Sequence, residues 1–141
     1  MNIESAKFEC AKEISNLMIE LGYETTRELI ENKLQFVAKS DFDKVFVAAI
    51  NNQIVGVISC HLTTLFHVSG MCGRITSLVV SGNARGLGVG KALVKEADRY
   101  FTENSCIKAE VTSGEHRNEA HQFYISQGYA EDQRRFIKLY N

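Results

Sequence analysis

The sequence predicts an α/β fold built around one mixed sheet, and three observations carry that prediction. Runs rich in β-branched residues, Val45 to Ile50, Ile54 to Thr63 and Gly73 to Val80, alternate with segments whose apolar residues recur every three or four positions; these two periods separate strands from amphipathic helices. A glycine-rich run, Arg85-Gly86-Leu87-Gly88-Val89-Gly90-Lys91, stands between the apolar Leu78-Val79-Val80 and a helical pattern that continues to Phe101. A strand-like run from Ile107 to Thr112 follows that helix, so strand, loop, helix and strand form a right-handed parallel crossover.

Taken in order, Asn2 to Ser5 is a short first strand. Phe8, Ala11, Ile14, Leu17, Met18 and Leu21 line one side of a helix that Gly22 ends. Thr25, with Glu28 three residues on, fits a capping box opening a second helix whose Leu29, Ile30, Leu34 and Val37 can face a core. Asp41 to Lys44 is a polar loop. Val45 to Ile50 and Ile54 to Thr63 flank Asn51-Asn52-Gln53 as a hairpin, with Ser59 and His61 on the same face as Val55 and Val57. Leu65 to Gly70 connects to the next strand. Beyond the glycine loop, Val89, Leu93, Ala97 and Tyr100 form a helical stripe. Ala120, Phe123 and Gln127 belong to a short helix stopped by Gly128, and Arg134 to Tyr140 reads as a last strand.

The 141 residues suit a single domain spanning 1–141, and 45% apolar with 23% charged residues is ordinary for a globular chain. A net charge of −1 gives no bulk attraction to nucleic acid or a membrane surface. Residues 1–70 carry nine acids and six bases, residues 71–141 eight acids and ten bases, so an anionic ligand suits the second half slightly better. Four scattered cysteines show no metal-ligand spacing. With no leader-like or membrane-length apolar stretch, a cytoplasmic protein without a metal is expected.

The glycine run leaves backbone N–H groups uncovered, and the helix behind it adds unpaired N–H groups and the positive end of its dipole, so a pyrophosphate fits there. Arg85 and Lys91 add positive charge. The dinucleotide fingerprint is excluded because the spacing is G-x-G-x-G rather than G-x-G-x-x-G, and the P-loop because Lys91 precedes Ala92, which cannot hold magnesium. Arg85, Gly88 and Gly90 as R-x-x-G-x-G resemble the acetyl-CoA loop of the GNAT superfamily of N-acetyltransferases. Asn118, Ala120, Phe123-Tyr124 and Gly128-Tyr129 resemble that family's second block, in the right order. The resemblance implies a GNAT fold: a mixed sheet of about six to seven strands, splayed parallel central strands and about four flanking helices.

The resemblance also implies a function, acetyl-CoA-dependent transfer of an acetyl group directly to a primary amine of a small molecule or peptide, by a monomer or homodimer. The pyrophosphate cradle is then Arg85, Gly86, Leu87, Gly88, Val89, Gly90 and Lys91. The backbone of Leu78 and Val80 pairs with the pantetheine arm, and that around Val79 offers an oxyanion donor. Asn118 contacts the cofactor or caps its helix. Tyr124 is the general acid that protonates the departing sulfur, a role an ordinary phenol fills at neutral pH. Many relatives carry a basic Glu early in the fourth strand, where this chain has Arg74, which cannot accept a proton. His61 is the candidate base, with Glu110 and Glu115 also near the slot by position and His67, His116 and His121 as further imidazoles; each also suits an ordinary surface role. The first two helices, Asp41, Asp43 and the stretch from His61 to Met71 are expected to form the acceptor pocket. No cysteine lies in either motif, which disfavours a thiol-bound acyl intermediate. A non-catalytic CoA-binding sensor or regulatory module is the alternative.

Overall fold

The computed structural model describes residues 1–111, 118–132 and 135–140, with Asn118 and Glu119 described through their backbone alone. The chain runs through strand β1 (Asn2–Ser5), helices α1 (Ala11–Glu20) and α2 (Arg27–Lys39), and strands β2 (Asp43–Ile50), β3 (Gln53–Thr64) and β4 (Met71–Val80). Helix α3 (Val89–Glu103), strand β5 (Cys106–Val111) and helix α4 (Asn118–Ser126) follow. The sheet order is β1-β2-β3-β4-β5. The first four strands are antiparallel neighbours, and β4 and β5 pair in parallel. The β2–β3 turn bends through Asn51 and Asn52, both at positive φ, which asparagine tolerates better than most residues.

Each face of the sheet has its own core. Phe46, Ala48, Ile58, Cys60, Leu62 and Ile75 meet Val89, Leu93, Val94, Ala97 and Phe101 of α3. Val47, Val57 and Val79 meet Ala11, Ile14 and Leu17 of α1 and Ile30 and Leu34 of α2 on the other face. The chain between β4 and α3 turns through a 3-10 segment, Gly82–Ala84, whose Ser81 hydroxyl accepts a hydrogen bond from the Asn83 N–H.

Three expectations are corrected. The α2 N-cap is Thr26, whose hydroxyl accepts a hydrogen bond from the Leu29 N–H at 3.1 Å. Glu28 therefore stands one position too early to complete a capping box, and the Thr25 hydroxyl is buried without a partner among the described residues. Asp43 and Lys44, expected in a loop, open β2 by pairing with His61 and Cys60. Among the described residues the sheet has five strands rather than six to seven: residues 135–140 form no strand, and Phe136 is 99% exposed. The β-rich composition of Phe136-Ile137-Lys138-Leu139-Tyr140 gives strand structure only when an edge pairs with it, and no such pairing is present among the described residues.

Candidate active site

The slot expected between the central strands has its described wall along β4. Parallel pairing with β5 ends at Ile75 opposite Val111 among the described residues, while β4 continues to Val80 with β3 paired along it. Leu78 and Val80 pack their side chains on the α3 side and Val79 packs on the α1–α2 side. These side chains are spent on the core, so contact with a ligand falls to the main chain of this stretch.

Just where the parallel pairing ends, the register slips. Ser59 faces Ser77 but Cys60 faces Ile75, leaving Thr76 as the extra residue of a β-bulge. Its hydroxyl contacts the Ser59 hydroxyl and donates to the Ser59 carbonyl at 3.3 Å. Sequence reading missed the bulge, although a trace of it exists: the apolar residues facing α3 are Ile75, Leu78 and Val80, spaced three and then two apart.

At the far end of the slot, α3 begins. Gly88 is its N-cap, at φ +78°, with no side chain capping the helix, and Gly86 is at φ +80°. A Cβ built on either glycine would meet nothing within 4 Å. The first N–H groups of α3 thus open onto uncrowded space, as an anion cradle requires. Arg85, Leu87 and Lys91 are exposed and Val89 is buried as the first core residue of the helix. Gly90 has a different role: a Cβ there would lie 3.3 Å from the Phe123 ring and 3.9 Å from Val80. Glycine at 90 lets α4 dock against the start of α3 and the end of β4.

That docking brings the two sequence blocks together. Tyr124 follows Phe123 on α4, half-buried, in edge contact with Phe123 at 5.3 Å and Tyr129 at 5.7 Å between ring centroids. The Tyr129 N–H closes the end of α4 on the Tyr124 carbonyl at 3.0 Å. Burial pushes the Tyr129 phenol well above its usual range. Asn118 opens α4. Its side chain lies outside the described residues, as do Glu115 and His116.

The α1–α2 face turns polar beyond Val45, Val57 and Val79. Asp43 of β2 lies opposite His61 of β3, His61 opposite Arg74 of β4, and Arg74 opposite Glu110 of β5. Directly opposed residues share a sheet face, so these four make a row of charge across four strands, one residue short of where β4 and β5 stop pairing. His61 Nδ1 lies 2.8 Å from Asp43 Oδ1. Glu110 is engaged by Arg74 at 3.6 Å and by Lys108 at 3.1 Å, and its hydrogen bond holds the Lys108 ammonium above its ordinary pKa. Burial raises the thiol pKa of Cys72 and Cys106 and pushes that of Cys60 up to about 12, which keeps all three protonated and poor as nucleophiles at neutral pH. Among the described residues no group of His, Cys, Asp and Glu could hold a metal ion, and no helix is long and apolar enough to cross a membrane.

Among the described residues, a strand edge free on its β5 side leads to a helix N-terminus without a side-chain cap, with a tyrosine-bearing helix docked beside both, the arrangement that the GNAT resemblance implies. The sequence pattern of the acetyltransferase (GNAT) family matches residues 11–129, and the chain belongs to that family. An aminoalkylphosphonate N-acetyltransferase of Salmonella typhimurium is 29% identical over 123 residues, covering 79% of this chain and 78% of the relative. An uncharacterized N-acetyltransferase of Archaeoglobus fulgidus is 31% identical over 105 residues, covering 73% and 71%. In fold, the chain matches a crystal structure described as a transcriptional regulator from Bacillus halodurans with a TM-score of 0.88, at 19% identity over 99% of both chains. The chain is an acyltransferase by this kinship.

Proposed function

We propose that this chain is an acetyl-CoA-dependent N-acetyltransferase that moves an acetyl group directly to a primary amine of a small molecule or peptide. The observation that carries the proposal is the alignment, among the described residues, of the stretch of β4 free on its β5 side with the uncrowded N-terminus of α3 at Gly88. The residues fit the donor. Of the N–H groups from Gly86 to Lys91, that of Leu87 donates to the Ala84 carbonyl at 3.4 Å; the others would hold its pyrophosphate, with Arg85 and Lys91 adding charge, and the main chain of Leu78, Val79 and Val80 would hold its pantetheine arm. Acetyl-CoA, when bound, supplies an activated thioester; overall the amine loses two protons and gains the acetyl group, and the carrier leaves as its thiol.

The chain's own residues handle the protons. An alkylammonium near pKa 10.4 is neutral in only about one molecule in a few thousand at pH 7, so a proton acceptor beside the slot is required. His61 is that acceptor in this reading, and Tyr124 supplies a proton to the departing sulfur. The protonated state of the buried thiols supports direct transfer over an acyl-cysteine route. The aminoalkylphosphonate N-acetyltransferase relative supports a small primary amine as acceptor. We place the protein in the cytoplasm, where its four free cysteines stay reduced, as a monomer or homodimer.

One observation favours the alternative of a non-catalytic CoA-binding sensor: position 74 holds an arginine paired with Glu110 rather than a base. Free-thiol release from acetyl-CoA, measured against a panel of amino acids, aminoalkylphosphonates, polyamines, aminoglycosides and peptide N-termini, decides between the two. The proposal expects amine-dependent release with at least one class. CoA binding without release above background across the panel would favour the sensor.

A further inference from the structure

We infer that Asp43 is a positioning residue for His61, itself steered by Ser40, so that the imidazole presents Nε2 as a proton acceptor to the incoming ammonium. This rests on the acetyl-transfer reading above and deepens it.

The hydrogen bonds have a fixed direction. The Phe42 N–H donates to the Ser40 hydroxyl oxygen at 3.1 Å, and that hydroxyl donates to Asp43 Oδ2 at 2.7 Å. An ionised carboxylate only accepts, so the contact between Asp43 Oδ1 and His61 Nδ1 at 2.8 Å puts the imidazole proton on Nδ1 and leaves the lone pair on Nε2. Ser40 is the C-cap of α2 and Asp43 the first residue of β2, so the steering groups sit where a helix end is tied to a strand. Asp43 is the more shielded partner, 20% exposed at its side chain against 40% for His61. The carboxylate is sheltered and the imidazole is reachable, which suits a group that must receive a proton and then lose it to water.

Position supports the role. His61 is in register with Arg74, the residue before the last described β4–β5 pair and two before the bulged Thr76. With strands about 5 Å apart and residues rising about 3.3 Å, the Cα of His61 lies roughly 8 Å from that of Thr76, a gap that the imidazole and a small amine together can span. Among the described residues, Arg74 and Cys72 of β4 and Lys108 and Glu110 of β5 are the other titratable or charged groups at this end of the strands, and Tyr100 of α3 lies near enough to Asp43 for the carboxylate to help raise its phenol. Glu110 already accepts from two cations. In the step itself an N–H bond of the ammonium breaks, its electron pair stays on nitrogen, and the proton bonds to Nε2. The imidazolium so formed is balanced by Asp43 and passes its proton to water.

The ordinary alternative is an ion pair near the surface that adds little to stability and nothing to the reaction. The two are separated by reading the His61 ring tautomer from its nitrogen NMR shifts in the wild-type protein, Asp43→Asn and Ser40→Ala, beside pH profiles of kcat/KM for the best amine and CoA binding for each. His61→Ala should lower kcat/KM about 10²–10⁴-fold and abolish the acidic limb of the profile, with CoA affinity within twofold. Asp43→Asn should lower it roughly tenfold or more and reduce the share of the Nδ1-protonated tautomer, since the carboxylate that accepts that proton is lost. Ser40→Ala should change both in the same direction by less. A limb that survives His61→Ala, or a tautomer share that falls in Asp43→Asn while kcat/KM stays put, overturns the positioning role and leaves acetyl transfer standing. Absence of amine-dependent thiol release by the wild-type protein overturns acetyl transfer and this inference with it.

Discussion

Replacing Gly88 by alanine tests the anion cradle. Gly88 sits at φ +78°, so an alanine there carries the left-handed penalty of about 1–2 kcal/mol. Its methyl meets no atom of the described residues within 4 Å, so packing against them adds nothing to that cost. The new Cβ would instead enter the space in front of the first α3 N–H groups. Hydrogen bonds to a charged group are worth about 1.5–3 kcal/mol each, and losing one corresponds to roughly ten- to 150-fold weaker binding. Gly22 provides the control. It lies at φ +90° with nothing within 4 Å of a built Cβ, at the far end of α1, so alanine there imposes comparable strain away from the slot. Calorimetric titration with CoA and thermal unfolding of both variants give the comparison. Both should lose a similar few degrees of Tm, and only Gly88→Ala should lose tenfold or more in CoA affinity. Equal CoA affinity for both variants would refute the cradle, because the strain alone would then account for everything seen.

Tyr124→Phe should lower kcat about 10²–10⁴-fold with CoA affinity nearly unchanged, read from single-turnover thiol release and titration; equal loss of both would make the residue structural. Thr26→Ala should cost about 0.5–2 kcal/mol in denaturant unfolding and Thr25→Val much less, since only the Thr26 hydroxyl caps α2. Stability should also fall as pH rises above 9. Cys60 is held protonated up to about 12 in the folded chain but ionises near the ordinary thiol value of 9.0 when unfolded, so above that pH the unfolded state binds fewer protons and is favoured. Tyr100, raised from 10.0 to about 12, acts likewise from pH 10, and urea midpoints measured across this range should decline less steeply in Cys60→Ala.

Local patterns made most of this fold readable in the sequence, because each depends on residues close together in the chain. The stripe Val89, Leu93 and Ala97 is buried as its spacing predicts, and Asn51-Asn52 turns the hairpin as its composition predicts. The glycine loop was legible for a similar reason: only a residue without Cβ keeps those N–H groups bare at positive φ. What depended on partners was harder. The β-rich 136–140 segment has strand composition but no paired edge, and composition cannot supply one. Asp43 reads as loop until its register with His61 is known, so the Ser40–Asp43–His61 chain was invisible although His61 itself was singled out. The phase slip at Thr76 was present in the apolar spacing, yet it gained meaning only against Ser59 across the ladder. Phe123 and Gly90 belong to separate motifs, and the fit of the Phe123 ring against Gly90 is what brings α4 to the start of α3.

The most direct measurement is a crystal structure of the chain with CoA bound. The account predicts the pyrophosphate within hydrogen-bond distance of main-chain nitrogens between Gly86 and Lys91, the pantetheine amides on the main chain of Leu78 to Val80, and the sulfur between Tyr124 and the bulge at Thr76. A carrier bound elsewhere, with the N–H groups of Val89, Gly90 and Lys91 turned to neighbouring protein groups, would contradict it.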